Sequence, residues 1–163
     1  MEHTITGNTM LAKMDIKSAF RLLPIHPSDF ELLGIKLNDK FYFDKCLPMG
    51  CSISCALFEK FSCFLEWLVK EKAKSESVLH YLDDFLFAGS EGSNNCQLLM
   101  HTFSEMCCEL RIPLAEDKTV GPAFVLAFLG IEIDKKEMLI RIPREKLESL
   151  RFHLEQVFWC EKG

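Results

Sequence analysis

Several familiar signatures are missing from this chain of 163 residues, and each absence narrows what it can be. The eight cysteines, at 46, 51, 55, 63, 96, 107, 108 and 160, contain no CxxC pair and the five histidines no HxxxH, so no zinc site is expected. Reduced, mostly buried thiols are the expectation. Long apolar runs are also lacking: FVLAFLGI at 124–131 falls well short of the roughly 20 residues a membrane helix needs. The N-terminus has no signal-peptide pattern. These absences point to a soluble, intracellular protein with no membrane partner, without distinguishing cytoplasm from nucleus. Nor is there an excess of positive charge. A net charge of -5 argues against a nucleic-acid binder held by bulk electrostatics alone, but leaves room for one that meets nucleic acid through metal ions. Repeats and low-complexity tracts are absent, and the polar stretches at 70–77 and 90–95 are short enough to be connections within a domain.

What is present suffices for one compact core, since 48% of the residues are hydrophobic. Three segments carry helical periodicity. Ile53, Leu57, Phe61, Phe64, Leu65 and Leu68 share a stripe, with Glu66 and Lys70 paired four apart on the outside. Leu99, Phe103, Met106 and Leu110 form a second stripe. After Pro143, suited to a first helical position, Leu147, Leu150, Leu154 and Val157 form a third. Strands are expected at 11–16, at a pair within 34–47 turning at Asp39-Lys40, on either side of Asp83-Asp84, over 124–134 and over 138–142. With the pair at 34–47 set aside as an insertion, the order is strand, helix, hairpin, helix, strand. That is the split βαβ arrangement of a ferredoxin-like antiparallel sheet, an α+β fold with helices on one face. The other face is free to form a cleft.

The carboxylates then acquire positions. Alternation places Leu11, Lys13 and Asp15 on one face and Ala12, Met14 and Ile16 on the other, so the first strand delivers Asp15 to the cleft. In the hairpin, Tyr81 and Asp83 share one face, Leu82 and Asp84 the other. An Asp-Asp tip is locally disfavoured against Asn-Gly or Asp-Gly. Asp15 and Asp83 approach at the same edge, where like charges repel unless divalent cations neutralise them, and oxygen-only ligands suit magnesium. On local pattern alone a solvated turn is the better explanation of an Asp-Asp pair.

The wider set of motifs goes further. KMDIKSAF, LPMGCSISCALF, YLDDF, LAEDK and FLGIEI follow one another at spacings that resemble a reverse transcriptase from about Leu11 to about Ile142. The wording DIKSAFRLLPIHP and FDKCLPMGCSISCALFEKF is most similar to DIRS-type tyrosine-recombinase retrotransposons. The resemblance implies a right-hand polymerase palm with a partial fingers insertion over 1–142, and a helix at 143–163 leading toward a thumb. It implies that Asp15, Asp83 and Asp84 bind two magnesium ions, which manganese can replace, with Asp84 less directly engaged and the Ile16 carbonyl as a further ligand. Phe20 matches the aromatic gate that excludes a ribose hydroxyl, and Met49 and Gly50 lie in the turn supporting the incoming nucleotide. Met49 departs from the glutamine common in retroviral enzymes. Lys118 matches the lysine that protonates departing pyrophosphate, and Leu129 and Gly130 the hairpin that grips the primer. Without the resemblance, Phe20 reads as core, Lys118 as a surface lysine, and Gly130 as a bulge in a buried strand. The implied partners are a primed RNA or DNA template and deoxynucleoside triphosphates. Most of the fingers, the thumb and any RNase H domain are expected on a longer parent product. An inactive or co-opted palm serving as a binding module is the competing expectation.

Overall fold

The computed structural model describes residues 8–160, with side chains through Gln156. Its strands in chain order are β1 (Thr9–Asp15), β2 (Gly34–Leu37), β3 (Lys40–Phe43), β4 (Val78–Tyr81), β5 (Asp84–Ser90), β6 (Val120–Ala123), β7 (Val125–Phe128), β8 (Ile131–Asp134) and β9 (Leu139–Arg141). The α-helices are α1 (Ser52–Ala73), α2 (Asn95–Glu109) and α3 (Arg144–Cys160).

The main sheet has the order β4-β5-β1-β6, with every neighbouring pair antiparallel. This is the split βαβ topology expected, with α1 connecting β1 to β4, α2 connecting β5 to β6, and each connection skipping one strand. The closing strand, however, is β6 at Val120–Ala123, which was not anticipated, and not the run at 124–134, which lies in a separate sheet. Ala12 and Met14 of β1 register with Phe87 and Phe85 of β5. These four, with Val78, bury their side chains against Phe58, Leu65 and Val69 of α1 and Leu99, Phe103 and Met106 of α2. Both helices therefore cover one face. At Gly89 the strand passes so close to α2 that an added Cβ would lie 2.5 Å from the Cys96 amide nitrogen. Two smaller sheets, β2-β3 and β7-β8-β9, complete the described strands.

Several local expectations are corrected. The buried stripe of α1 is Ser54, Phe58, Ser62, Leu65 and Val69, whereas Ile53, Leu57 and Phe64 are exposed. Two serines occupy the inner face, so an apolar-only stripe was drawn about a third of a turn off. Glu66 and Lys70 do pair, at 2.6 Å, but are largely buried against β4 instead of lying outside. Leu110 caps α2 and is exposed. Leu147, Leu150 and Leu154 of α3 are exposed, and Val157 lies outside the residues whose side chains are described. The β2-β3 turn falls at Asn38-Asp39, both with positive φ, one residue before the expected Asp39-Lys40, because Asn and Asp tolerate that region better than lysine. The run at 124–134 is not one strand but two, folded at Leu129-Gly130. Among the described cysteines only Cys96 and Cys107 are buried, correcting the expectation of mostly buried thiols. Burial pushes those two up to about 11 and about 12, which leaves them unreactive.

Candidate active site: a carboxylate cluster on the open face of the sheet

Because Met14 and Phe85 point into the helix layer, their neighbours Asp15 and Asp84 point away from it, and the two aspartates are direct cross-strand partners. The tip of the β4-β5 hairpin is Leu82-Asp83, closed by the Tyr81-Asp84 pair, and not Asp83-Asp84. The alternation that grouped Asp84 with Leu82, away from Asp15, fails there: the chain reverses at the tip, and Leu82 has φ 52, which resets the faces. A non-glycine residue in that region is uncommon and is tolerated where surrounding structure enforces it. Asp83 is carried to the same edge, where its carbonyl accepts a hydrogen bond from the Ile16 amide at 3.0 Å.

The segment after α2 is clamped to the end of β1. Ala115 donates its amide to the Asp15 carbonyl at 2.8 Å, and Lys17 donates to that of Pro113 at 2.9 Å. A short 3-10 turn, Glu116–Lys118, then aims the Lys118 ammonium at Asp15 Oδ2, 2.8 Å away. On the other side Ser18, with φ 59, turns the chain into a second 3-10 segment carrying Phe20 and Arg21. Phe20 packs edge-on against Phe58, ring centroids 5.3 Å apart, which holds its ring at the cleft wall.

The resulting cleft of about 560 Å³ is lined by Asp15, Phe20, Met49, Asp83 and Lys118, together with Ile16, Lys17, Ser18, Ala19, Arg21, Ala115 and Asp117. Neither cysteine nor histidine is among them. Met49 is highly exposed at its rim. Gly50 follows with φ 84, but an added Cβ would meet nothing within 4 Å, so its backbone twist and not close approach explains the glycine. Leu129 and Gly130 do not line this cleft. They form the two-residue turn between β7 and β8, both with positive φ, where a buried strand with a bulge had been the motif-free expectation. Arg21, Lys17 and Asp117 lie inside the quoted motifs but were given no role there.

Electrostatically the cluster is under-compensated. Burial foremost, then the charge of Asp15, holds the Asp83 carboxyl above the usual carboxylate range, against the opposing pull of its own amide and Lys118. Asp84 is raised too, by burial, by the charges of Asp15 and Asp83, and by a hydrogen bond with Asp15. The Asp15 hydrogen bond and charge hold Lys118 above its ordinary value, so its ammonium is fully charged at neutral pH. Asp15, Asp83 and Asp84 thus neighbour one another with Lys118 as the cation acting on them, and of the three Asp15 and Asp83 line the solvent-open cleft while Asp84 is not among its lining residues.

A split βαβ sheet with acidic residues clustered on its uncovered face is an arrangement compatible with a nucleic-acid polymerase domain. The chain belongs to the reverse transcriptase family, described as reverse transcriptase (RNA-dependent DNA polymerase), whose profile matches residues 2–133. It is 28% identical over 147 residues to Protein P of duck hepatitis B virus (strain China), covering 88% of this chain and 18% of that protein. It is also 28% identical over 150 residues to the Gag-Pro-Pol polyprotein of Mason-Pfizer monkey virus, covering 84% of the chain and 8% of the polyprotein. The chain thus spans less than a fifth of the length of these relatives. Among solved structures it resembles the foamy viral protease-reverse transcriptase. The TM-score is 0.72 with 19% identity for the form in complex with double-stranded DNA that covers 87% of this chain and 24% of that one. For the complex with an RNA/DNA hybrid the TM-score is 0.73 with 19% identity, covering 91% of this chain and 20% of that one. At that identity the likeness establishes the fold.

Proposed function

We propose that residues 1–142 are the palm, with part of the fingers, of an RNA-directed DNA polymerase that extends a primer 3'-hydroxyl with deoxynucleoside triphosphates, and that residues 143–163 lead toward a thumb. The observation that carries this reading is the convergence of Asp15, Asp83 and Asp84 on the open face, with only Lys118 paired against them. The wording of the first two motifs favours kinship with DIRS-type retrotransposons.

The donor set fits a hard divalent cation. Its charged donors are carboxylate oxygens, their charge is under-compensated, and neither cysteine nor histidine lines the cleft. Asp15, Asp83 and Asp84 would hold magnesium, or manganese in its place, with the Ile16 carbonyl nearby. When bound, the ions acidify the primer hydroxyl and stabilise the pyrophosphate. The chain's own residues do the rest. Phe20, fixed edge-on by Phe58, supplies a flat wall under the sugar where a 2'-hydroxyl has no room. Met49 and Gly50 form the rim against which the incoming nucleotide and template base rest, and Leu129-Gly130 offers an exposed turn to the primer strand. Lys118 is protonated at neutral pH and so has a proton to give to the departing pyrophosphate. It must first leave Asp15, so nucleotide binding exchanges one partner of the ammonium for another.

Primer extension on an RNA template with magnesium or manganese, comparing this chain with Asp83→Asn, tests the reading. Extension by the native chain that falls at least a hundredfold in the variant supports it. Equal extension by both overturns the assignment of Asp83. No extension by either folded protein favours a palm retained as a binding module.

A further inference from the structure

The helix-covered face of β4 carries a second cluster of ligand-bearing side chains, on the side of the sheet opposite Asp15 and Asp84. His80 is 8% exposed and stacks on Phe85, centroids 5.5 Å apart. Its Nδ1 meets Glu66 Oε2, and the other oxygen of that carboxylate is held by Lys70 Nζ at 2.6 Å. Its Nε2 faces Cys63 Sγ at 3.8 Å and Glu59 Oε1 at 3.2 Å. Glu59 and Cys63 stand one helical turn apart on α1, so both reach the same point above the strand. All three donor atoms lie within 4.8 Å of one another. Nothing in the polymerase reading uses any of these residues.

With the Nδ1 proton donated to Glu66, Nε2 presents a lone pair toward a sulfur and a carboxylate oxygen. Three electron-pair donors converging on one point call for a cation between them. Zinc ligated tetrahedrally by sulfur, nitrogen and oxygen at ordinary bond lengths separates sulfur from nitrogen by about 3.6 Å and nitrogen from oxygen by about 3.4 Å. The two separations from Nε2, 3.8 and 3.2 Å, lie close to these values, and the sulfur and the carboxylate oxygen are within 4.8 Å of each other. Glu66 supplies what a metal-bound imidazole usually has, a carboxylate on the remaining ring nitrogen that fixes tautomer and ring orientation.

We propose that Glu59, Cys63 and His80 form a binding site for a divalent transition metal of the zinc class, with Glu66 as the positioning residue and water completing the tetrahedron. Thiolate and imidazole select against magnesium, so the two faces of the sheet take different cations. The metal ties α1 to β4, the strand that leads into the Asp83 hairpin. No CxxC or HxxxH spacing announces the site because two ligands come from a helical turn and the third from a strand after an intervening loop.

The test is titration of the folded chain with cobalt(II) in magnesium buffer. One equivalent should give a thiolate-to-cobalt charge-transfer band in the near ultraviolet and visible bands of tetrahedral intensity, both erased by zinc. Cys63→Ser, an exposed position, should lose the charge-transfer band, while Cys55→Ser, exposed on the same helix, should keep it. Glu66→Gln should keep the band with affinity weakened about 10–100-fold. Absence of the band in the native chain, or its survival in Cys63→Ser, overturns the site and leaves His80 as a hydrogen-bonded link between Glu59 and Glu66.

Discussion

At the scale of single residues, the position of Asp84 is the most consequential. It faces Asp15 directly across the ladder, and burial together with its acidic neighbours raises its carboxyl above the ordinary range. A carboxyl raised in the folded state favours folding when protonated. Its stabilising contribution is complete below the unfolded value near 3.9 and is lost as pH rises through the higher folded value. At neutral pH without divalent cations the charge is therefore a liability. Asp84→Asn should raise the unfolding midpoint of the cation-free chain by about 2–4 °C at pH 7, with the advantage shrinking as pH falls through the carboxylate range. On the proposed metal assignment, magnesium should stabilise the native chain more than the variant. Calorimetry across pH, with and without magnesium, checks both, and an Asp84→Asn midpoint below the native one at pH 7 contradicts the argument. Phe20 permits a second check at this scale. Because Phe20 also packs on Phe58, Phe20→Ala should lose some stability, so the readout is the ratio of kcat/KM for deoxynucleotides to that for ribonucleotides, which is independent of the folded fraction. That ratio should fall at least tenfold in any active version, and an unchanged ratio removes the gate role. Asp15 and Asp83, placed at one edge by strand alternation, and Lys118, named through the family resemblance, line one cleft. Asp84 was misjudged because period-two alternation was carried through a hairpin tip, where a positive φ at Leu82, invisible in residue type, resets the faces.

At the scale of elements, topology was legible and faces were only partly so. The order strand, helix, hairpin, helix, strand pointed to the split βαβ sheet, because its connections leave few other antiparallel arrangements. The closing strand, however, was placed at 124–134, and the short, proline-containing β6 at Val120–Ala123 that takes that position was missed. The inner face of α1 was not legible, since Ser54 and Ser62 sit there fully buried, with hydroxyls that have no hydrogen-bond partner among the described residues. Small residues at those positions let the helix approach the sheet, a packing demand that hydropathy does not encode. The same tightness appears at Gly89. In a strand with ordinary φ, alanine would normally gain about 0.4–1 kcal/mol by restricting the unfolded chain. Here the added Cβ would meet the Cys96 amide at 2.5 Å and its Cα at 3.1 Å, backbone atoms that move only if α2 moves. Overpacking of that kind costs about 1–3 kcal/mol and outweighs the entropic gain. Gly89→Ala should accordingly lower the denaturant midpoint. A midpoint that stays level or rises would mean that α2 shifts freely, and with it the Phe103 contacts that support Phe85 beside Asp84.

At the scale of the whole molecule, charge sets how the chain can hold its substrate. Nucleic-acid affinity comes chiefly from lysines and arginines that neutralise phosphates, and the chain carries 19 of them against 24 acidic residues. Several are already committed: Arg21 to Asp44, Lys70 to Glu66, Lys118 to Asp15 and Arg141 to Glu132 and Asp134. The cluster on the open face adds local negative potential that only bound cations reverse. A duplex primer-template should therefore bind weakly, dissociate quickly, and bind better when magnesium or manganese is present. If the chain synthesises DNA, it should do so distributively, adding about one nucleotide per encounter before release. Extension of a labelled primer in the presence of excess unlabelled trap duplex measures this directly. Products confined to the first added positions, and shortened further as salt rises, are the expected outcome. Long products in the presence of trap would mean that geometry, through the β7-β8 turn and the exposed apolar face of α3, grips the duplex without help from charge. In that case the weak-binding argument fails while the chemical assignment of the carboxylates stands.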